Sequence, residues 1–388
     1  MKRLKLITVM LALLLAAMAM VPMVSATADF QSLSHDKEII ESNYITVELA
    51  REQATITMLS MIQSGALDAN WVGAKINPTP KEIYDVNGER LFYLFSVEKK
   101  GERVGEIYAA ASKVLGGSVI AIGSINEPDT FEKLQTFSQK AIKEKYSGYQ
   151  LISEKTVSFD FPILGSMIDL KNEKTGESKY VIIDSRDGSE KKMDTQVSSY
   201  YDQIPVEVKK QNIAIWETSR AQPKARLLQD GQKIISGLNH STQYTDVWCA
   251  VATAQIISSK YMSPSWGQYH IADMMAAYDQ YGNPKGTTPG NELDYYQATV
   301  ANGGLGKGSS YDIYRPYTTW QTAHDEIENN RPLKIGRDSP SYHARACNGW
   351  LVNGGNTYLL FNDPAQYGSI YWELVGPSDT YNNFVYVR

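Results

Sequence analysis

The chain has 388 residues, 43% of them hydrophobic and 21% charged, with a formal net charge of −5. That length provides for two or three domains with cores of their own, and the composition excludes wholesale disorder and collagen-like repeats. A mildly acidic chain without a concentrated basic face also excludes nucleic acid as the expected partner.

The chain opens on a targeting pattern. Lys2, Arg3 and Lys5 precede an apolar run over residues 6–24 that contains Pro22, and Val24-Ser25-Ala26 and Ala26-Thr27-Ala28 supply the small residues of a cleavage site. Residues 1–28 are expected to be a signal peptide, with an uncleaved membrane anchor as the alternative. The remainder is expected to be secreted or to work at the extracytoplasmic cell surface, with cell-surface association among its expected partners. Losing the three basic residues leaves 35 of the 38 basic side chains against 43 acidic ones.

Residues 29–216 are rich in Lys and Glu, contain one histidine, His35, and no cysteine. Ile45, Leu49, Ala54, Met58 and Met61 recur at helical spacing. Residues 82–95 read as two strands joined at Asn87-Gly88, a strong hairpin signal. A turn follows at Lys100-Gly101-Glu102, then a short buried strand at Val119-Ile120-Ala121-Ile122. A charged amphipathic helix over residues 131–146 leads to strands at Met167-Ile168-Asp169-Leu170 and Tyr180-Val181-Ile182-Ile183-Asp184. Helix-then-meander thus occurs twice, the pattern of an α+β region. Residues 217–238 contain the polar, basic, proline-bearing stretch of an exposed connection.

Residues 239–388 turn to Tyr, Trp, Gly and Asn, and hold four of the five histidines and both cysteines, Cys249 and Cys347. The chemistry is expected there. After Cys249, Val251, Ala252, Gln255 and Ile256 have helical spacing, which places Cys249 in a first turn. A helix N-terminus lowers a thiol's pKa through its dipole and unpaired N–H groups. Gln243 lies six residues upstream, close enough for its amide and the Cys249 N–H to face one oxygen as an oxyanion hole. A thiolate nucleophile needs a base and the base an orienter. His343 begins a strand interrupted by Arg345, Cys347 and Asn348. After Asn353-Gly354-Gly355-Asn356 a return strand ends at Asn362-Asp363-Pro364. Hairpin pairing brings Asp363 or Asn362 beside His343, and because adjacent strand residues face opposite ways only one can meet the imidazole.

Gln243, the Trp248-Cys249-Ala250 run with its Ala-containing helix, the later His343, the hairpin and Asp363-Pro364 together resemble the papain-like cysteine peptidases, in particular the group related to bacteriocin-processing peptidases. The resemblance implies a central helix packed on an antiparallel sheet over residues 239–388. It also implies Cys249 as nucleophile, His343 as general base and acid, Asp363 as third member with Asn362 the alternative, and Gln243 as oxyanion donor. Ile83-Tyr84-Asp85-Val86-Asn87-Gly88, Phe92-Tyr93-Leu94-Phe95 and Gly105-Glu106-Ile107 resemble PepSY-like and streptopain-type pro-domains. By that resemblance residues 29–216 would be a pro-domain-like region inhibiting the site in a zymogen, with an accessory region that recognises substrate or cell surface as the alternative. The expected partner is a peptide or protein substrate, with no nucleic acid, no cofactor and no metal.

Other readings stand beside this one. Two cysteines in an exported chain often form a disulfide, and a Cys249–Cys347 bridge would close a loop of about 100 residues, abolish the nucleophile and leave a silent binding protein. The same thiol chemistry also serves amidases and acyl transferases. His240, His270 and His324 lack metal-ligand spacing and are read as solvated or capping residues. The glycine-rich run from Gly303 to Ser310 lacks the order of a phosphate loop.

Overall fold

The computed structural model describes residues 34–125, 129–191, 197, 199–220, 229–314, 319–337, 342–365, 369–376 and 381–388. The chain forms two compact units, residues 1–39 and 40–388. Of the first, the described residues are 34–39, within helix α1 (Ser34–Glu41), and the expected signal peptide lies outside the described residues.

In the second unit, helix α2 (Val47–Ser64) begins at Thr46, whose hydroxyl accepts from the Leu49 N–H, and ends at Gly65 with φ 77°. Both are ordinary solutions to unpaired helix ends. Its buried Ala50, Ala54, Met58 and Met61 pack in the core of a meander: β1 (Lys75–Ile76), β2 (Lys81–Tyr84), β3 (Arg90–Lys99), β4 (Glu102–Ala110) and β5 (Val119–Ser124). The expected hairpin turns at Gly88, φ 89°. There the buried Asp85 carboxylate accepts from Ser199 Oγ at 2.6 Å and from the Tyr200 and Tyr201 N–H groups. A second helix-and-meander follows, with α3 (Thr130–Lys145), β6 (Tyr149–Asp160), β7 (Ile163–Asn172), β8 (Ser178–Asp184) and β9 (Glu190–Lys191).

The connection expected at 217–238 carries ordered elements at both ends. Helix α4 (Val206–Arg220) runs into it, and β10 (Gln229–Ile234) leaves it paired antiparallel with β13 (His343–Asn353). The remaining elements are α5 (Cys249–Ser258), α6 (Gln268–Met274), α7 (Pro289–Gln297), β11 (Tyr311–Tyr314), α8 (Thr319–Glu328), β12 (Leu333–Arg337), β14 (Asn356–Asp363), β15 (Ser369–Leu374) and β16 (Asn383–Tyr386).

The fold is α+β, built on one large mixed sheet in the order β11-β16-β12-β13-β14-β15-β5-β4-β3-β2-β6-β7-β8-β9. Pairing between β15 and β5 joins the charged front region to the Tyr-rich back region, with Ile370 opposite Ser124 and Glu373 opposite Ala121. Gly123 allows it: a Cβ there would lie 2.5 Å from the Ile370 carbonyl oxygen and 2.6 Å from Tyr371 Cα. The core crosses the same junction, for Leu351, Tyr358, Leu360 and Trp372 are buried together with Trp71, Phe95, Ile107 and Ile122. The textures differ along the chain, but this core draws side chains from both regions. A second core packs α5, α6 and α7 on the β13 and β16 side of the sheet through Val251, Ala254, Ile271, Tyr295, Ala346 and Val385. No helix among the described residues is long and apolar enough to cross a membrane.

Candidate active site

Cys249 is the first residue of α5, and its N-cap, Trp248, supplies no side-chain hydrogen bond. The first-turn N–H groups therefore keep the positive end of the helix dipole open beside the thiol. Trp248 is fully buried, its indole donating to the Ala277 carbonyl at 3.2 Å, and this anchors the turn. The helix is fixed to the strand carrying His343 by Thr253 Oγ1, which donates to the Ala344 carbonyl at 3.0 Å. Cys249 is half-buried, and its Sγ lies 3.8 Å from the Tyr342 carbonyl.

His343 begins β13, and Asp363 ends β14, as hairpin pairing requires. The imidazole Nε2 lies 2.9 Å from Asp363 Oδ1, which leaves Nδ1 for the Cys249 sulfur. Burial pushes the Cys249 thiol up, but its hydrogen bond with His343, the charge of His343 and the Ala344 N–H outweigh this and bring it below the ordinary thiol value. Burial opposes a charge on His343 too, yet Asp363 and then Cys249 raise it to about 9. Burial likewise works against the Asp363 carboxylate, while His343, Arg345 and the Ala365 N–H hold it well below the usual range. The three groups thus favour a thiolate–imidazolium pair beside a carboxylate, a coupled set whose titration belongs to the group as a whole.

Asn362 faces the other way, with Oδ1 2.6 Å from His240 Nδ1. The geometry thus separates the two candidates for the third position. Gln243 is tied to the residue after Asp363, its backbone N–H donating to the Pro364 carbonyl at 2.9 Å. Its side-chain Nε2 donates to the Thr245 carbonyl at 2.9 Å, so one of its two amide hydrogens is committed within its own loop. Buried Gln268 on α6 shapes that loop, with Nε2 donating to the Thr242 carbonyl and Oε1 accepting from the Tyr244 N–H.

Cys249 and Cys347 are both free thiols, so the disulfide considered from the sequence is not formed. Ala346 faces the core containing α5, and alternation along the strand turns Cys347 to the opposite face. Burial there pushes the Cys347 thiol up to about 12, the reverse of Cys249.

No protein-family model and no curated protein matches the sequence.

The other histidines are accounted for by local contacts. His270 stacks on Trp266 and its Nε2 lies 2.7 Å from the Gly303 carbonyl, while His324 packs against Trp320 and Trp350. Among the described residues no cluster of His, Cys, Asp or Glu is arranged to hold a metal ion. Sequence reasoning passed over what lies behind Asp363. Arg345, which interrupts the strand after His343, is fully buried and donates to Tyr371 Oη at 2.7 Å and to Glu373 Oε2 at 2.6 Å. Period-two alternation was the available signal, since His343 and Arg345 share a face of β13, and Tyr371 and Glu373 a face of β15.

Proposed function

We propose that the chain is a secreted cysteine peptidase of papain-like type, with Cys249 as nucleophile in a catalytic region spanning residues 239–388. The observation that carries the reading is the His343–Asp363 pair, 2.9 Å apart, together with the lowering of the Cys249 thiol at the head of α5 by that imidazole. That arrangement joins a nucleophile, a proton carrier and an orienter in one coupled set, as nucleophilic acyl transfer requires. The Cys249 thiolate attacks a peptide carbonyl, and the Cys249 N–H and the second amide hydrogen of Gln243 stabilise the oxyanion. The imidazolium of His343 gives its proton to the leaving amine, then as imidazole takes one from the water that releases the acyl group.

In this proposal the front region is the inhibitor of an intact precursor. Support comes from its β6–β7 turn, where the Phe161 carbonyl accepts from Arg337 Nη2 at 3.2 Å and Asp160 lies near enough to feel the charge of His343. The shared core also implies that a cut in the connection would leave the two parts associated. Free thiols favour the peptidase over a disulfide-bonded binding protein. Product analysis separates hydrolysis from amidase or acyl-transfer chemistry.

The test is hydrolysis of a denatured protein substrate by the native chain and by Cys249→Ala, with folding checked by circular dichroism. Hydrolysis is expected to vanish in the variant while its spectrum is unchanged. Retained hydrolysis would remove Cys249 from the mechanism.

A further inference from the structure

Asp363 is fully buried, and its two carboxylate oxygens have separate partners. Oδ1 accepts from His343 and from the Ala365 N–H at 2.9 Å, while Oδ2 accepts from the Tyr371 hydroxyl at 3.0 Å. The direction of that last bond is forced from behind. Arg345 Nη1 donates to the Tyr371 oxygen, so the hydroxyl hydrogen is left to point at Asp363. Arg345 cannot itself drift, because Glu373 accepts from both ends of its guanidinium, Tyr381 Oη accepts from Nη2, and the Phe361 ring lies 3.8 Å away.

We infer that Tyr371 is a positioning residue for the candidate active site: its hydroxyl fixes the rotation of the Asp363 carboxylate, so that Oδ1 stays on His343, and the buried Arg345–Glu373 pair fixes the hydroxyl. The inference rests on the proposed thiol mechanism and deepens it. A carboxylate held at one oxygen can turn about its χ2 torsion. Held at both, it keeps one acceptor aimed at the imidazole, which sets both the ring orientation and the stability of the imidazolium. Strand alternation supplies the device, since Phe361 and Asp363 on β14 and Tyr371 and Glu373 on β15 share a face with His343 and Arg345 on β13.

Charged or titratable groups face this unit from each packed element. They are Cys249 on α5, Asp160 on β6 with Arg186 beside it, Lys334 and Arg337 on β12, Arg345 on β13, Asp363 on β14, and Tyr371 and Glu373 on β15, with Tyr381 beyond. Tyr371→Phe removes only a neutral hydroxyl and retains the ring. Looser holding of Asp363 weakens the thiolate–imidazolium pair, so the thiol pKa should rise and that of the imidazolium should fall.

The test is the rate of Cys249 alkylation by iodoacetamide against pH, read by peptide mass in the full chain, for the native protein, Tyr371→Phe and Tyr358→Phe. Tyr358 is a matched control: its buried hydroxyl donates to the Val119 carbonyl at 3.3 Å in the same sheet, away from Asp363. Tyr371→Phe should move the onset of alkylation upward by more than about half a pH unit, and slow peptide turnover about tenfold. Tyr358→Phe should leave the onset in place. An unchanged onset in Tyr371→Phe, or equal shifts in both variants, would overturn the positioning role. A native Cys249 that titrates as an ordinary thiol would instead overturn the mechanism on which the role rests.

Discussion

At the scale of single residues, alternation sends the Asp363 and Asn362 side chains to different partners. The two are neighbours in sequence and nearly alike in size, yet one meets His343 and the other His240. Their substitution should therefore separate cleanly. Asp363→Ala removes the charge that raises His343 and the acceptor that orients it, and is expected to lower kcat by about 10²–10⁴-fold. Asn362→Ala disturbs only the His240 contact and is expected to stay within about threefold of the native rate. Steady-state kinetics on the two folded variants checks this, and equal losses would contradict the assignment. Arg345 teaches a complementary lesson. In the sequence it looks like an interruption of an apolar strand. In the fold it is a buried cation with a carboxylate and two hydroxyls around it, which is how a buried charge becomes tolerable.

At the scale of elements, the segments governed by local rules were readable in advance. The Asn87-Gly88 turn, the helix following Cys249 and the hairpin joining His343 to Asp363 depend on spacing and turn chemistry over fewer than about 25 residues. The β5–β15 pairing was not readable, because it joins residues some 250 positions apart and no periodicity encodes a partner. Within residues 217–238, read from their polar composition as an exposed connection, β10 pairs with β13, again a distant partner that composition does not encode. Gly123 marks the junction. At φ 154° and with a partner backbone within 2.6 Å of any Cβ, it leaves no room that a side-chain rotation could open. Gly123→Val is expected to destabilise the chain by about 1–3 kcal/mol, as other overpacked sites do. A lowered denaturant midpoint with unchanged slope would register it, and an unmoved midpoint would show that the β5–β15 pairing yields at little cost.

At the scale of the whole molecule, the division between a charged front and an aromatic back is one of composition rather than of packing. Trp71, Phe95 and Ile122 from the front share an interior with Tyr358, Leu360 and Trp372 from the back. The strand that carries Tyr371, and through it the hold on Asp363, has the front region's β5 as its neighbour. The front region is thus a structural support of the proposed site as well as its proposed inhibitor. The most direct measurement of the proposed chemistry is the pH dependence of kcat/KM for peptide hydrolysis. His343 must carry a proton to release the leaving amine, and its pKa is raised to about 9, so activity should hold through neutrality and fall as pH rises through about 9. Cys249 is lowered from the ordinary thiol value, so the acid limb should lie below that value. A bell with those two limbs, absent in Cys249→Ala, is the predicted result. A rate that climbs on a single limb through the ordinary thiol range, or hydrolysis that persists without Cys249, would contradict it.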